Sequence, residues 1–269
     1  MSETLHEGTT LRLTRDGALL DVDLFRAPCN EIGTETLDDL ERVVTLATKS
    51  GARGLVLRSS VPRGFSAGAD LRALLAGIEA AREAGQDWEH AVRAFIARIH
   101  RIFDALDALP MTTVAAVHGV VFGGGFELAL TCDVIVADAS ARFAFPELRL
   151  GLVPGFGGLP RLSRDVGNAV VRDLLFSGRS LGAKRAYELG LCAHLVAKGQ
   201  SPDAARSIAT QSARFDPRVV ARAKHFAKPI PHEALLREQA LFCELVTSPV
   251  VLDALRRHAT RTDALPYLP

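Results

Sequence analysis

Two acidic residues are placed where they could share a proton-transfer reaction. Glu127 lies in "GGGFELAL" and Glu147 in "FPELRLGLVPGFGG", twenty positions later, each between apolar residues and glycine-rich turns. Burial raises the pKa of a carboxyl group, so two such groups can divide general-base and general-acid roles near neutrality. Three consecutive glycines, Gly123 to Gly125, precede Glu127. Without a Cβ, the backbone there can come close to a bound molecule. The free N–H groups at the start of the following helix, backed by its dipole, favour negative charge developing on a ligand. Taken alone, Glu127 reads more simply as a first-turn acid complementing that dipole. Spacing alone does not bring the two acids together.

The stretch "GFSAGADL", Gly64 to Leu71, offers a different chemistry. Its first five residues fit G-x-S-x-G, the sharp strand-to-helix turn that presents a nucleophilic serine in many hydrolases. That turn follows its strand directly, whereas "SSVPR" separates Gly64 from the apolar run "RGLVLRSS" here. Pro62 cannot donate to a β-ladder, so the strand ends before the motif. His225, His232 and His258 could supply a triad base, but each falls in a helical pattern with charged neighbours and reads as a solvated helix face. Ser66 is therefore expected to be a small loop residue rather than a nucleophile.

The elements that carry these motifs are mixed. "TLRLTRDGALLDVDLF" alternates around Asp16-Gly17 and predicts a β-hairpin over residues 10–25. Leu37, Leu40, Val43, Val44 and Ala47 follow at helical spacing, with Thr34 as the expected N-cap and Gly51 as the stop. "RGLVLRSS", "TTVAAVHG" and "DVIVAD" read as buried strands, and "ARFAFPEL" as a short extended piece. Residues 71–109 read as helix broken at Gly85-Gln86, and "PGFGGLPRLSRDVG" as a loop entering a helix closed by Gly167. From Asn168 the pattern is helical over 168–176, 182–189, 202–213, 216–228, 231–246 and 248–260, with "CAHLVA" as a strand between.

Composition narrows the classes. The chain has 269 residues, long for one domain and short for two. With 48% hydrophobic residues it can bury a substantial core. Lys and Arg number 32 against 31 acids, and a net charge of +1 gives no electrostatic case for nucleic acid or an anionic membrane. Cys29, Cys132, Cys192 and Cys243 are scattered without CxxC or CxxH spacing, so neither disulfide nor zinc is expected. The polar start "MSETLHEGTT" does not read as a signal peptide, and no apolar run reaches membrane-spanning length. A cytoplasmic location is the expectation.

Four motifs, "GFSAGADL", "AAVHGVVFGGGFELALTCDVIVA", "ARFAFPELRLGLVPGFGGLPRLSRDVG" and "AKRAYELGL", run in order from Gly64 to Leu191. Together they resemble the crotonase family of enoyl-CoA hydratases and isomerases. "APCNEIGTETLDDL" and the hairpin extend the match towards the N-terminus. The resemblance implies an α/β fold, a crotonase-like spiral of ββα turns with a helical C-terminal oligomerisation region. It divides the chain into a core over residues 1–199 and a trimerisation region over 200–269, in a homotrimer or a hexamer made as a dimer of trimers. It also implies an oxyanion hole from the backbone N–H groups of Ala69 and Gly124, which would hold a thioester carbonyl oxygen. Glu127 would hold and deprotonate the water added at Cβ, and Glu147 would protonate Cα. Gly68, Asp70, Leu71, Gly123 and Gly155 would line the substrate site. The substrate would be an acyl-CoA or the same thioester on a carrier protein, with coenzyme A as part of the substrate, no tightly bound cofactor and no metal.

Retention of both acids favours addition or removal of water. The family's lyases, isomerases and decarboxylases remain alternatives, as does a non-catalytic homologue. The stretch from Leu71 to Pro110 is long and rich in bulky side chains, which suits a region that shapes the acyl pocket. The C-terminal "FCELVTSPVVLDALRRHATRTDALPYLP" lacks the acidic-glycine pattern and terminal Phe/Lys region that many relatives place near CoA. Phe122 and Phe126 read as core packing or as walls of the pocket. Arg26, Arg63 and Arg149 read as solvated surface or as contacts to CoA phosphates.

Overall fold

In the computed structural model, which describes residues 2–260, the chain winds repeatedly between two sheets. It opens with β1 (Glu3–Glu7), β2 (Leu11–Asp16) and β3 (Leu19–Leu24), followed by α1 (Thr34–Lys49), β4 (Gly54–Ser59) and β5 (Gly64–Ser66). Two long helices come next, α2 (Leu71–Glu83) and α3 (Trp88–Asp107). The second winding holds β6 (Thr112–Val117), β7 (Val120–Phe122) and α4 (Gly124–Ala129), and the third holds β8 (Val134–Asp138) and β9 (Arg142–Ala144). A 3-10 turn at Glu147–Leu150 leads to α5 (Gly158–Val166) and α6 (Asn168–Ser177). The chain continues through β10 (Leu181–Gly182), α7 (Ala183–Glu188) and β11 (His194–Val196). It closes with α8 (Ser201–Ser212), α9 (Pro217–Ala227), α10 (His232–Leu245) and α11 (Pro249–Ala259).

The large sheet has the order β1-β2-β3-β4-β6-β8-β11 and the small one β10-β9-β7-β5. β4, β6 and β8 pair in parallel in the first, and β5, β7 and β9 in parallel in the second. Each winding thus adds one strand to each sheet, which is the ββα spiral that the resemblance implies. Side chains alternate across a strand, so a sheet covered on both faces needs apolar residues at nearly every position. In β4, Leu55 and Leu57 face the main core while Val56 faces α8; in β6, Ala115 and Val117 face the core and Val114 and Ala116 face α8. Ala205 and Ala209 let α8 lie close on that outer face.

The hairpin pairs as expected, with Asp16 opposite Leu19. All six helices from α6 to α11 fall within one residue of their expected ends. Thr34 is not the N-cap of α1; Gly33 is, and Thr34 is the first helical residue. β1, β5, β7 and β10 have no counterpart among the expected strands. The last three have three residues or fewer, too short to display alternation. His225 and His232 are exposed, but His258 is buried in α11 and is not a solvated face. α10 packs on α3 and α5, and α11 on α2 and the 3-10 turn. Residues 261–269, the end of the expected 200–269 region, lie outside the described residues. Among the described residues, no helix is long and apolar enough to cross a membrane.

Candidate active site

The parallel strands β5 and β7 end at the same side, so the loops that leave them run together. Gly68 has φ +96°, and a Cβ there would lie 2.8 Å from the Phe122 carbonyl oxygen and 2.9 Å from the Gly124 nitrogen. Only glycine permits that approach. The Cβ position of Gly124 lies 3.4 Å from the Ala69 nitrogen, so Ala69 and Gly124 stand side by side. Among the described residues, neither N–H donates to a protein acceptor, and both line one cavity.

Ser66 is fully buried. Its hydroxyl donates to the Asn30 carbonyl at 2.7 Å and accepts the Gly68 N–H at 3.1 Å, so it braces the loop. Asp70 caps α2, accepting the Ala73 N–H at 2.9 Å with one oxygen and Arg26 at 2.8 Å with the other. Arg26 also donates to the Glu31 carbonyl at 2.8 Å. Its guanidinium is thus held by two partners while the side chain stays partly exposed, and it steadies the residue after Ala69. Arg149 donates to the Gly178 carbonyl at 2.7 Å.

Glu127 points away from the dipole of its own helix. Its Oε1 accepts the N–H groups of Phe156 and Gly158, both at 2.8 Å, at the entrance to α5. The group is buried, and burial pushes its pKa up to about 7 against those two hydrogen bonds and the Arg161 charge. Glu147 reaches the same cavity from the 3-10 turn. A Cβ on Gly123, which has φ +48°, would sit 2.4 Å from Glu147 Oε1. Glu147 Oε2 is buried without a hydrogen-bond partner. Burial, and next the charge of Glu127, hold its pKa well above the usual carboxylate range. Both carboxyl groups are thus raised above the usual carboxylate range, Glu127 by burial and Glu147 by burial with the charge of Glu127 added to it.

These residues meet in a cavity of about 50 Å³ that includes Asp70, Gly155 and, from α2 and α3, Leu71, Leu74 and Phe95. A second cavity of about 180 Å³ lies between α2 and α3 and shares Asp70, Leu74 and Phe95 with the first. The bulky 71–110 stretch therefore does wall the site. Phe122 and Phe126 do not: both are fully buried, and Phe126 stacks on Phe145 at 4.8 Å. Phe156 and Phe242 take that place, the latter brought by α10. A Cβ on Gly155 would lie 2.2 Å from the Phe242 ring, and the Gly155 carbonyl accepts His100 Nε2–H at 2.9 Å.

Sequence reasoning missed Arg161, His100, Phe242 and Glu238. Arg161 is fully buried, pairs with Asp104 and Asp107, and donates to the carbonyls of Phe156 and Gly157. Only tertiary folding brings α3, α5 and α10 to one turn. The fully buried arginine had a single local signal, its place in the apolar stripe of "GLPRLSRDV".

The chain belongs to the enoyl-CoA hydratase/isomerase family, whose model matches residues 14–249. It is 36% identical to the mitochondrial methylglutaconyl-CoA hydratase of Rattus norvegicus over 186 residues, 69% of this chain and 56% of the rat protein. The match thus spans about half the length of that relative. It is 35% identical to the carnitinyl-CoA dehydratase of Escherichia coli K12 over 225 residues, 83% of this chain and 80% of that protein. The crystal structure of an enoyl-CoA hydratase from Bacillus anthracis superposes with a TM-score of 0.73 at 26% identity, covering 93% of this chain and 96% of that one.

Proposed function

We propose that this protein adds water to the α,β double bond of an enoyl thioester, or removes it from the 3-hydroxyacyl thioester, with coenzyme A as the carrier. The observation that carries the proposal is the convergence of Glu127, Glu147, Ala69 and Gly124 on one cavity. Two relatives with names of this chemistry, a methylglutaconyl-CoA hydratase and a carnitinyl-CoA dehydratase, support the same reading.

The thioester oxygen takes the two free N–H groups. Ionised Glu127 removes a proton from water as the oxygen bonds to Cβ. The π electrons move to the thioester oxygen, and the enolate is held by donors already in place, each worth about 2.7–4 kcal/mol to the transition state. Neutral Glu147 then protonates Cα, and a proton passing from Glu127 back to Glu147 resets the pair. Dehydration runs the same steps backwards.

The C-terminal helices leave Phe226 89%, Leu236 66% and Val219 64% exposed, which supports burial of α9 and α10 in a homotrimer or a dimer of trimers. Light scattering after gel filtration tests that. The four cysteines are buried and unpaired, in keeping with a reducing cytoplasm.

Incubation with crotonyl-CoA and with branched and longer enoyl-CoAs, followed by loss of enoyl absorbance, tests the reaction. Hydration of at least one is expected. Isomerisation, decarboxylation or C–C cleavage of related thioesters without any hydration overturns the proposal, as does CoA binding without turnover.

A further inference from the structure

A third buried carboxyl group, Glu238 on α10, stands behind the acid pair. Its Oε1 accepts the Leu159 N–H at 2.9 Å, and the Gly157 N–H also turns towards it. Glu127 takes the N–H groups of Phe156 and Gly158. Three N–H groups entering α5 are thus bound by two carboxyls from different parts of the chain, those of Phe156 and Gly158 by Glu127 and that of Leu159 by Glu238. From the other side, Arg161 donates to the carbonyls of Phe156 and Gly157. Glu238 Oε2 is buried with no hydrogen-bond partner.

We propose that Glu238 is a positioning residue: it holds the 156–159 turn whose N–H groups bind Glu127, and so sets how readily Glu127 takes up a proton. The inference rests on the hydratase reading for its kinetic consequences. A helix N-terminus offers only about half a unit charge, and two neighbouring buried carboxylates do not both ionise. The groups facing this turn are Glu127, Glu147, Glu238 and Arg161, with Asp104 and Asp107 behind Arg161 and His100 on Gly155. Burial, and next the charge of Glu127, push the pKa of Glu238 well above the usual carboxylate range, which favours leaving the positive end of α5 to Glu127. Deleting the Glu238 acceptor frees Gly157 and Leu159. The turn relaxes, the bonds from Phe156 and Gly158 lengthen, and the proton affinity of Glu127 rises.

The test compares E238A, E238D and E238Q in the full chain. It follows the pH dependence of kcat/KM for enoyl-CoA hydration, together with kcat, KM and Tm. In E238A the acidic limb should move up by about half a pH unit or more, with kcat down about tenfold and KM changed by less than about threefold. E238D should move the limb the same way, since its shorter side chain withdraws from the turn; it serves if E238A does not fold. E238Q keeps a neutral acceptor and should retain the wild-type limb. A limb that stays in place in E238A and E238D while only Tm falls overturns the proposal. So does a shift in E238Q as large as in E238A. Infrared titration of the buried carboxyls gives the same comparison without turnover. A wild-type enzyme that hydrates nothing sinks the hydratase reading, while the infrared shifts still decide the role of Glu238.

Discussion

Glu147→Gln separates chemistry from structure better than any other change in the site. Oε2 of Glu147 has no hydrogen-bond partner to lose, and glutamine matches the side chain in size. The fold should therefore survive, and the substrate should bind as before. What disappears is the proton for Cα. Loss of a positioned acid costs about 10²–10⁴-fold in rate, a barrier increase of about 3–5 kcal/mol. The loss should appear in kcat, with KM within about threefold of wild type, because the acid acts mainly in the transition state. Stability gives an internal control. Burial raises the folded-state pKa of Glu147, so the folded protein keeps a proton that the unfolded chain releases. Wild-type stability is therefore lost as pH rises above the unfolded value of about 4.3. Glutamine removes that loss, so E147Q should melt at the same temperature as wild type near pH 4 and higher at pH 8. Enoyl-CoA hydration by absorbance, with thermal melts at both pH values, decides it. Wild-type kcat in E147Q refutes the role, and a fall in Tm at pH 8 refutes the account of its burial.

With Glu127 titrating at about 7, kcat/KM should be half-maximal near pH 7 and fall tenfold per unit below it; a profile flat from pH 5 to 8 contradicts Glu127 as base. Gly123→Ala would put a Cβ 2.4 Å from Glu147 Oε1 at a backbone φ of +48°, so hydration should drop by about 10²-fold or more while CoA binding, followed by calorimetry, persists. Ser66→Ala removes a brace, not a nucleophile: stability should fall by about 1–2 kcal/mol in urea unfolding, with turnover within about tenfold of wild type. Arg161→Met takes one of three cations from buried Asp107, which keeps Arg164 and Lys228, and leaves the 156–157 carbonyls without that donor, so unfolding should become easier by about 1–3 kcal/mol.

The strands and helices that carry the core were legible because their periodicity is long. β4 and β6 are buried at nearly every position, and α3 repeats its buried face over five turns. The small sheet was not: "GFS", "VVF" and "RFA" are three residues each and gain their partners only through the spiral. Ala69, Gly124, Glu127 and Glu147 could be singled out because motif order carried them, whereas their convergence on one cavity needed the parallel pairing of β5 with β7. Phe122 and Phe126 stand next to the glycine triplet in sequence, yet they point into the core. The aromatic walls Phe156 and Phe242 come from α5's entrance and α10, distant segments that share no local pattern with the site. Arg26 read as a surface charge because its partner Asp70 lies far away in the chain, and nothing local marked Glu238, whose partner Leu159 is also distant.

Turnover of a panel of enoyl-CoAs in H2¹⁸O, read by mass spectrometry, bears most directly on the chemistry assigned to this site. One heavy oxygen should appear on Cβ of an intact 3-hydroxyacyl-CoA, and the label should vanish in E147Q and in Glu127→Gln. Label in a free carboxylate with release of CoA, or unlabelled product, would contradict water addition by the paired glutamates.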